Sequence, residues 1–207
     1  NQIIKNNNMR NKNTTKTQQK YLHSAGLETD LVYFTEHSMV GGIQIKHPFC
    51  FSHITTGNKE SLSTTIKMAN TYYLAVKEEW EKYKVEGGLG NFISYCVELP
   101  YRLHFLVNHQ DKLTDKEYWE TLGGIFLSTE NQTEDMSKWI ELLNNPRPKR
   151  ECLMYDIDDY DFFEGLPDKV EVWRGVSDED YVDGLSWSTE KGVAEWFAKR
   201  HPSGERI

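Results

Sequence analysis

The sequence predicts an α+β protein in which a helical N-terminal region is followed by β-strands. Two observations support this prediction. Between residues 59 and 144, apolar side chains recur every three or four positions, as they do on one face of an amphipathic helix. After residue 148, apolar and polar side chains begin to alternate, as they do along a β-strand. We therefore expect a basic tail over residues 1–20, a mainly α-helical module over 21–148 and a second domain over 149–207.

Composition excludes several classes of protein. Aromatic residues make up 13% of the chain and apolar residues 38%, which favours a folded protein over a disordered one. No apolar run approaches the roughly 20 residues of a membrane helix, so we expect no membrane partner and a cytoplasmic location. The net charge of −8 argues against general binding to nucleic-acid phosphates.

Charge is distributed unevenly along the chain. Residues 1–20 carry five basic side chains and no acidic one, and they contain too few apolar residues to fold alone. A disordered tail is therefore predicted there. Residues 151–190 carry thirteen acidic side chains and two basic ones. The simplest interpretation is a solvated acidic face, and the alternative is a surface that engages a basic partner.

The sequence contains no pattern of metal ligands. Cys50, Cys96 and Cys152 are about fifty residues apart, without the paired spacing of a zinc site or a disulfide framework. We expect them to be small buried hydrophobic residues. The seven histidines are scattered singly, and no glycine-rich phosphate loop, HExxH or GxSxG motif is present. No metal site is predicted.

The N-terminal part contains a mixed apolar stretch followed by the first predicted helix. Residues 27–54 are expected to be irregular with a hairpin, and Gly41-Gly42 marks a turn or bulge. A helix is predicted over residues 59–85, and the glycines of "EGGLG" end it. Its predicted core face consists of Leu62, Ile66, Tyr73, Val76 and Trp80.

Three more helical segments follow. The second, over 91–109, contains Pro100, which is expected to kink or split it because proline lacks an amide hydrogen. Its apolar side is Phe92, Tyr95, Leu99, Leu103 and Leu106. The third starts at Thr114, where "TDKE" is a capping box, and continues through Tyr118, Trp119, Leu122 and Ile125. The fourth covers 135–144, with Met136, Trp139, Ile140 and Leu143. Trp119 and Trp139 are predicted to anchor the core.

The segment "KVEVWRGV" has the alternation of a β-strand. Val170, Val172, Arg174 and Val176 share one face. If the valine face is the core, Arg174 is buried, and a buried guanidinium requires an anion. Arginine grips phosphate or carboxylate oxygens well, so the anion is a ligand in one interpretation. In the other, it is a nearby carboxylate such as Asp178 or Asp183.

The segment "GLSWSTEKGVAEWFA" is predicted to be a strand, a turn and a helix. Ser186 and Ser188 are expected on one face of the strand and Trp187 on the other. Their hydroxyls suit a polar ligand, although Ser188 also suits an N-cap. A helix is predicted to begin at Thr189-Glu190, with small alanines that allow close packing on a sheet. No histidine is placed beside either serine, so the sequence does not support Ser-His-Asp hydrolysis.

Taken together, "VEVWRGV" and "GLSWSTEKGVAEWFA" resemble the ADP-ribosyltransferase fold of the arginine-serine-glutamate type. In that fold, an aromatic-Arg-Gly strand is followed by a Ser-x-Ser strand and an "xVAxxFA" helix. The chain is also similar to small phage and bacterial proteins with this signature and a helical N-terminal part. The resemblance covers about residues 114–200 and is specific mainly at its C-terminal end. It implies that residues 149–207 are the start of a split β-sheet domain.

The resemblance also implies a substrate and roles for individual residues. Arg174 is expected to bind NAD through its phosphates and nearby ribose, and the backbone of Gly175 to bond the nicotinamide amide. Ser186 is expected to orient the arginine and the catalytic glutamate, and Ser188 to support the nicotinamide-ribose pocket. The predicted cofactor-binding set is completed by Trp187 and Phe197. The implied reaction displaces nicotinamide at the ribose carbon through an oxocarbenium-like transition state.

A catalytic glutamate is the part of the pattern that this sequence lacks. The resemblance implies one on a later strand, a few tens of residues beyond the "VAEWFA" helix. Glu190 and Glu195 belong to that helix region, and Glu205 comes too early. The expectation is therefore a truncated sequence or a chain unable to perform transfer. Two functions follow: an NAD-dependent effector modifying a host protein or nucleic acid, in the host cytoplasm if phage-encoded, or a non-catalytic acidic interaction or virion-associated protein.

Overall fold

The computed structural model describes residues 16–31, 34–35, 43–55, 57–129, 135–154, 157–176 and 182–200. The chain divides into two compact units, Asn1–Lys112 and Leu113–Ile207. The helices are α1 (16–24), α2 (Lys59–Glu86), α3 (Leu89–Tyr95), α4 (Arg102–His109), α5 (Asp115–Ser128), α6 (Met136–Leu143), α7 (Ile157–Glu164) and α8 (Lys191–Arg200). Three strands, β1 (Phe34–Thr35), β2 (Ile43–His47) and β3 (Cys50–Ile54), form an antiparallel sheet in the order β1-β2-β3.

The α+β class is confirmed, but the sheet lies in the first unit and not after residue 149. Strands β2 and β3 form the hairpin expected within 27–54, with a two-residue turn at residues 48–49. Ile43 and Ile45 are buried on one face of β2, as their alternation predicts. The glycines Gly41 and Gly42 are outside the described residues.

The long helix α2 contributes most of the helical residues in the hydrophobic core of the first unit. It begins where Asn58 Oδ1 accepts a 2.8 Å hydrogen bond from the Ser61 amide, and it ends at Gly87, which has a φ of 84°. Its predicted core face is buried except for Trp80, which is half-buried. The core also contains Leu22, Leu27, Leu31, Ile43, Ile45, Cys50, Ile54 and Ala69. Residues 16–20, expected to belong to the tail, are helical, and residues 1–15 are outside the described residues.

Pro100 splits the segment 91–109, as predicted. A 3₁₀ turn at Leu99–Tyr101 separates α3 from α4. The prediction of one apolar side across both helices is wrong, because Tyr95 is 81% exposed. Leu99 is exposed as well, whereas Phe92, Leu103 and Leu106 are buried. Tyr95 is the last residue of α3 and Leu99 is the first residue of the 3₁₀ turn, so both lie at the break and not inside a continuous helix.

In the second unit, α5 and α6 hold the two tryptophans that were predicted to anchor the core. Thr114 and Glu117 form the predicted capping box at the start of α5. Trp119 and Trp139 are fully buried, which confirms that prediction. On α6, Leu142 is buried while Ile140 is exposed, so the core face is rotated from the predicted one. A 3₁₀ turn at Arg150–Leu153 then packs against α5.

The region after residue 149 contains helices α7 and α8 but no strand among its described residues. The predicted strand over "KVEVWRGV" is wrong. The segment takes part in one isolated antiparallel bridge, between Trp173 and Ser188. The valine face is not a core, because Val170 and Val172 are 37% and 43% exposed. Two short segments paired at a single point do not form a stable sheet unless other elements cover one face.

Candidate functional site

The bridge between Trp173 and Ser188 joins the two sequence motifs. The amide of each residue donates to the carbonyl of the other, and both hydrogen bonds are 2.8 Å long. Trp173 and Ser188 therefore form a hydrogen-bonded pair of the kind found in antiparallel sheets. It places Arg174 beside the segment from Gly184 to Ser188, so the arginine and the two serines that the sequence singles out are brought together.

Arg174 is half-buried and bonded to this same segment. Its Nη1 donates a 2.7 Å hydrogen bond to the carbonyl oxygen of Ser186. The guanidinium also packs directly on Gly184, where any side chain would collide with it. The expectation that Arg174 is enclosed within a valine core is wrong, because that face is open to solvent. Of the two carboxylates considered as partners, Asp178 is outside the described residues.

The serines differ in their surroundings. Ser186 is exposed, so its hydroxyl faces water beside the arginine. Ser188 is half-buried, and its Oγ accepts a 3.0 Å hydrogen bond from the amide of Glu190. Helix α8 starts after Glu190, whose carbonyl accepts from Val193 and Ala194. Ser188 therefore stabilises the turn before the helix and is not the N-cap itself.

Gly175 is the point at which helix α8 meets the arginine segment. A Cβ at this position would collide with the carbonyl oxygen of Ala194 and crowd the amide of Ala198. Only glycine permits this approach. The prediction that small alanines allow α8 to pack closely is confirmed for Ala194, which is buried, although its neighbour is a bridged segment instead of a sheet.

Two aromatic residues of the predicted site point into solvent. Trp187 is 52% exposed, and its Nε1 donates a 2.9 Å hydrogen bond to the carbonyl of Gly184. Phe197 is half-exposed on α8, three residues after buried Ala194. The bridge thus groups Arg174, Gly175, Ser186, Trp187 and Ser188, while Phe197 is on α8 and half-exposed.

Gly184 was not among the residues predicted for the site. This glycine lies under the guanidinium of Arg174 and accepts the indole hydrogen bond of Trp187. Its position two residues before the Ser-x-Ser pair is the only sequence signal for this role. Since a glycine in that place is also common in ordinary turns, the signal is weak.

The donor set of this region suits an anionic, sugar-containing ligand. A guanidinium binds phosphate oxygens by charge-assisted hydrogen bonds, and an exposed hydroxyl exchanges hydrogen bonds with sugar hydroxyls. The face of an exposed indole is suited to stacking. These groups can bind and orient a nucleotide, but a guanidinium, a serine hydroxyl and an indole do not supply a general base.

The described residues bear on two predictions, which concern groups of metal ligands and the burial of the three cysteines. They contain no group of three or more histidine, cysteine, aspartate or glutamate side chains able to hold a metal ion. Cys50 is buried as expected, and burial raises the pKa of its thiol to about 11. Cys96 and Cys152 are only half-buried.

Within the described ranges, no helix is both long enough and apolar enough to cross a bilayer.

Comparison with known proteins yields no relative. No family model, curated protein or solved structure matches the chain. The resemblance therefore rests on the quoted motifs alone.

Proposed function

We propose that this protein is an NAD-dependent ADP-ribosyltransferase-like protein in which residues 173–188 hold part of the NAD molecule. The pairing of Trp173 with Ser188 supports this proposal most directly. It joins the Arg-Gly motif to the Ser-x-Ser motif, which the resemblance requires of one binding site. The 2.7 Å hydrogen bond from Arg174 Nη1 to the Ser186 carbonyl oxygen joins the same two motifs a second time.

In this proposal, the guanidinium of Arg174 binds the diphosphate of NAD and the hydroxyl of Ser186 contacts a ribose. The two residues lie on the two segments that the bridge joins, and Trp187, next to Ser186, has an exposed ring. NAD supplies the ADP-ribosyl group: the bond from ribose to nicotinamide breaks, nicotinamide leaves, and a nucleophile of the target takes its place. The proposed target is a host protein or nucleic acid in the cytoplasm. No described carboxylate is assigned the role of the catalytic glutamate.

The proposal is tested by titrating NAD into the protein in a calorimeter. Arg174→Ala and Arg174→Lys are compared with the wild type, and Arg150→Ala, an exposed arginine of the same unit, is the matched control. We expect Arg174→Ala to weaken NAD binding about tenfold or more, because charge-assisted hydrogen bonds to phosphate are lost. Arg174→Lys should recover only part of the affinity, since lysine cannot bind two oxygens in parallel.

Arg174 also supports its own loop, so folding is monitored in each variant. Circular dichroism and the fluorescence of the tryptophans report whether the bridge region persists. Absence of NAD binding by the wild type, or equal affinity of a folded Arg174→Ala variant, would contradict the proposal. Release of labelled nicotinamide from NAD, measured on the same samples, tests the transfer step separately from binding.

A further inference from the structure

Helix α7 exposes two adjacent aromatic side chains. Phe162 and Phe163 are 59% and 56% exposed, although phenylalanine is among the residues most often buried. Asp159 precedes them by three and four positions and is therefore their neighbour on the helix surface. Asp161 and Glu164 are also exposed, on the side of the helix away from the phenylalanines. We call Asp159, Phe162 and Phe163 the α7 face.

The sequence on both sides of α7 is acidic over a long stretch. Among the described residues between 151 and 190, eight carboxylates are exposed: Glu151, Asp159, Asp161, Glu164, Asp168, Glu171, Asp183 and Glu190. The basic residues of this stretch are Lys169 and Arg174. Val170, Val172 and Val182 are exposed among them. Apolar and negatively charged side chains thus alternate along this part of the sequence, and they are exposed to solvent.

This combination selects the chemistry of a partner. Two exposed phenylalanines favour a partner with apolar side chains, since covering them removes apolar area from water. The flanking carboxylates attract lysine and arginine and repel phosphates, which disfavours nucleic acids and anionic lipid surfaces. We propose that the α7 face docks a basic, amphipathic peptide segment of another protein. This inference does not depend on NAD binding, because it uses no residue of the candidate NAD site.

Fluorescein-labelled peptides test the proposal by fluorescence anisotropy on the whole chain. The probe is a lysine-leucine peptide of about five helical turns, with leucines spaced to form one face. Two control peptides keep its length: in one every lysine is replaced by glutamate, and in the other every leucine by serine. We expect saturable binding of the lysine-leucine peptide alone.

Substitutions then locate the binding surface. Phe162→Ser/Phe163→Ser should weaken binding about tenfold or more, because aromatic anchors dominate the affinity of such contacts. Val85→Ser/Leu127→Ser, at two exposed apolar positions outside the α7 face, is the matched control and should bind as the wild type does. All these side chains are exposed, so the fold should persist, and thermal unfolding checks that it does.

The charge contribution has its own matched pair. Asp159→Asn/Asp161→Asn/Glu164→Gln should weaken binding, whereas Glu60→Gln/Glu78→Gln/Glu86→Gln makes the same change in net charge at exposed positions of α2 and should not. Failure of the wild type to bind the lysine-leucine peptide overturns the inference. So does equal binding of the lysine-serine peptide or an unchanged affinity of the phenylalanine variant. NAD titrations on the same variants should be unaffected, which separates this inference from the proposed function.

Discussion

The hydroxyl of Tyr73 donates a 2.7 Å hydrogen bond to Oδ2 of Asp30, 43 positions earlier in the chain. Lys77 reaches the same oxygen at 2.7 Å. One turn away, Asn70 accepts from the amide of Glu28 and donates to the carbonyl of Gly26. Three side chains on one face of α2 therefore hold the loop that follows α1 against the helix.

Tyr73→Phe is expected to lower the free energy of unfolding of the first unit by about 1 kcal/mol, because the change removes one hydrogen bond and keeps the buried ring. The ion pair from Lys77 is exposed and screened, so it should compensate little. Urea unfolding gives the measurement. Tyr95→Phe, whose hydroxyl belongs to an exposed side chain, is the control. A loss of equal size in both variants would rule out a specific contribution of the Tyr73 bond.

Two adjacent glycines of α5 should respond to alanine with opposite signs. Gly124 has open space where a Cβ would stand, so Gly124→Ala is expected to stabilise the helix by about 0.5–1 kcal/mol. At Gly123, a Cβ would collide with the carbonyl oxygen of Leu153. Gly123→Ala should therefore destabilise the second unit, because the turn at Arg150–Leu153 must move. Thermal unfolding of the two variants checks the signs, and stabilisation by both would show that the turn does not pack on Gly123.

His47 should make the first unit less stable below neutral pH. Its Nδ1 accepts a 3.0 Å hydrogen bond from the Phe49 amide, and its ring is edge-on to Tyr73. Burial lowers the pKa of His47 below its ordinary value of 6.5, with Asp30 partly opposing this effect. Stability is therefore full above about pH 6.5 and is lost as the pH falls from there through the lowered pKa of the folded state.

The pKa of His47 is measured by following its ring protons by NMR. Urea unfolding across the same pH range gives the stability. His47→Asn keeps an acceptor for the Phe49 amide but does not titrate, so its stability should depend less on pH. An identical pH dependence in the variant and the wild type would assign the effect to other groups.

Glu98 should protect an edge of the sheet. Among the described residues, β3 has no strand beside it opposite β2. The amide of Phe51 on that edge donates a 3.2 Å hydrogen bond to Glu98 Oε1, and the Thr55 amide just beyond the strand donates to Thr65 Oγ1. Edge amides without such partners invite pairing with other chains. Glu98→Ala is expected to aggregate several-fold faster on mild heating, because it frees the Phe51 amide.

Light scattering compares this variant with Glu98→Gln, which keeps the acceptor oxygen, and with Glu86→Ala, which removes an exposed carboxylate elsewhere. Both controls should behave like the wild type. Faster aggregation of Glu86→Ala to the same extent would mean that lost charge, and not the exposed edge, is responsible.

Much of the helical framework was predictable because its signals are local. The boundaries of α2 follow from Asn58 and Gly87, and the start of α5 follows from Thr114 and Glu117. Each of these signals acts within one turn of the helix that it caps. The burial of Trp119 and Trp139 was equally clear, since large apolar side chains at helical spacing are seldom left in water.

The candidate site was only partly predictable. The proximity of Arg174 to the serine motif was expected, and the structure places the guanidinium on the Ser186 carbonyl. The supporting role of Gly184 was not expected, because it depends on the position of the Arg174 side chain in the folded protein. The exposure of Phe162 and Phe163 was likewise invisible, since composition does not reveal which apolar residues find a partner surface.

Sequence patterns alone predicted α2, the capping box of α5 and the acidic character of residues 151–190, whereas α1 was not predicted. The tertiary structure decided which extended segments became strands. Both "IQIKH" and "KVEVWRGV" alternate, but only the first has paired neighbours and a buried face. A helix satisfies its own backbone hydrogen bonds, whereas a strand depends on a partner and a covered face supplied by residues far away in the chain.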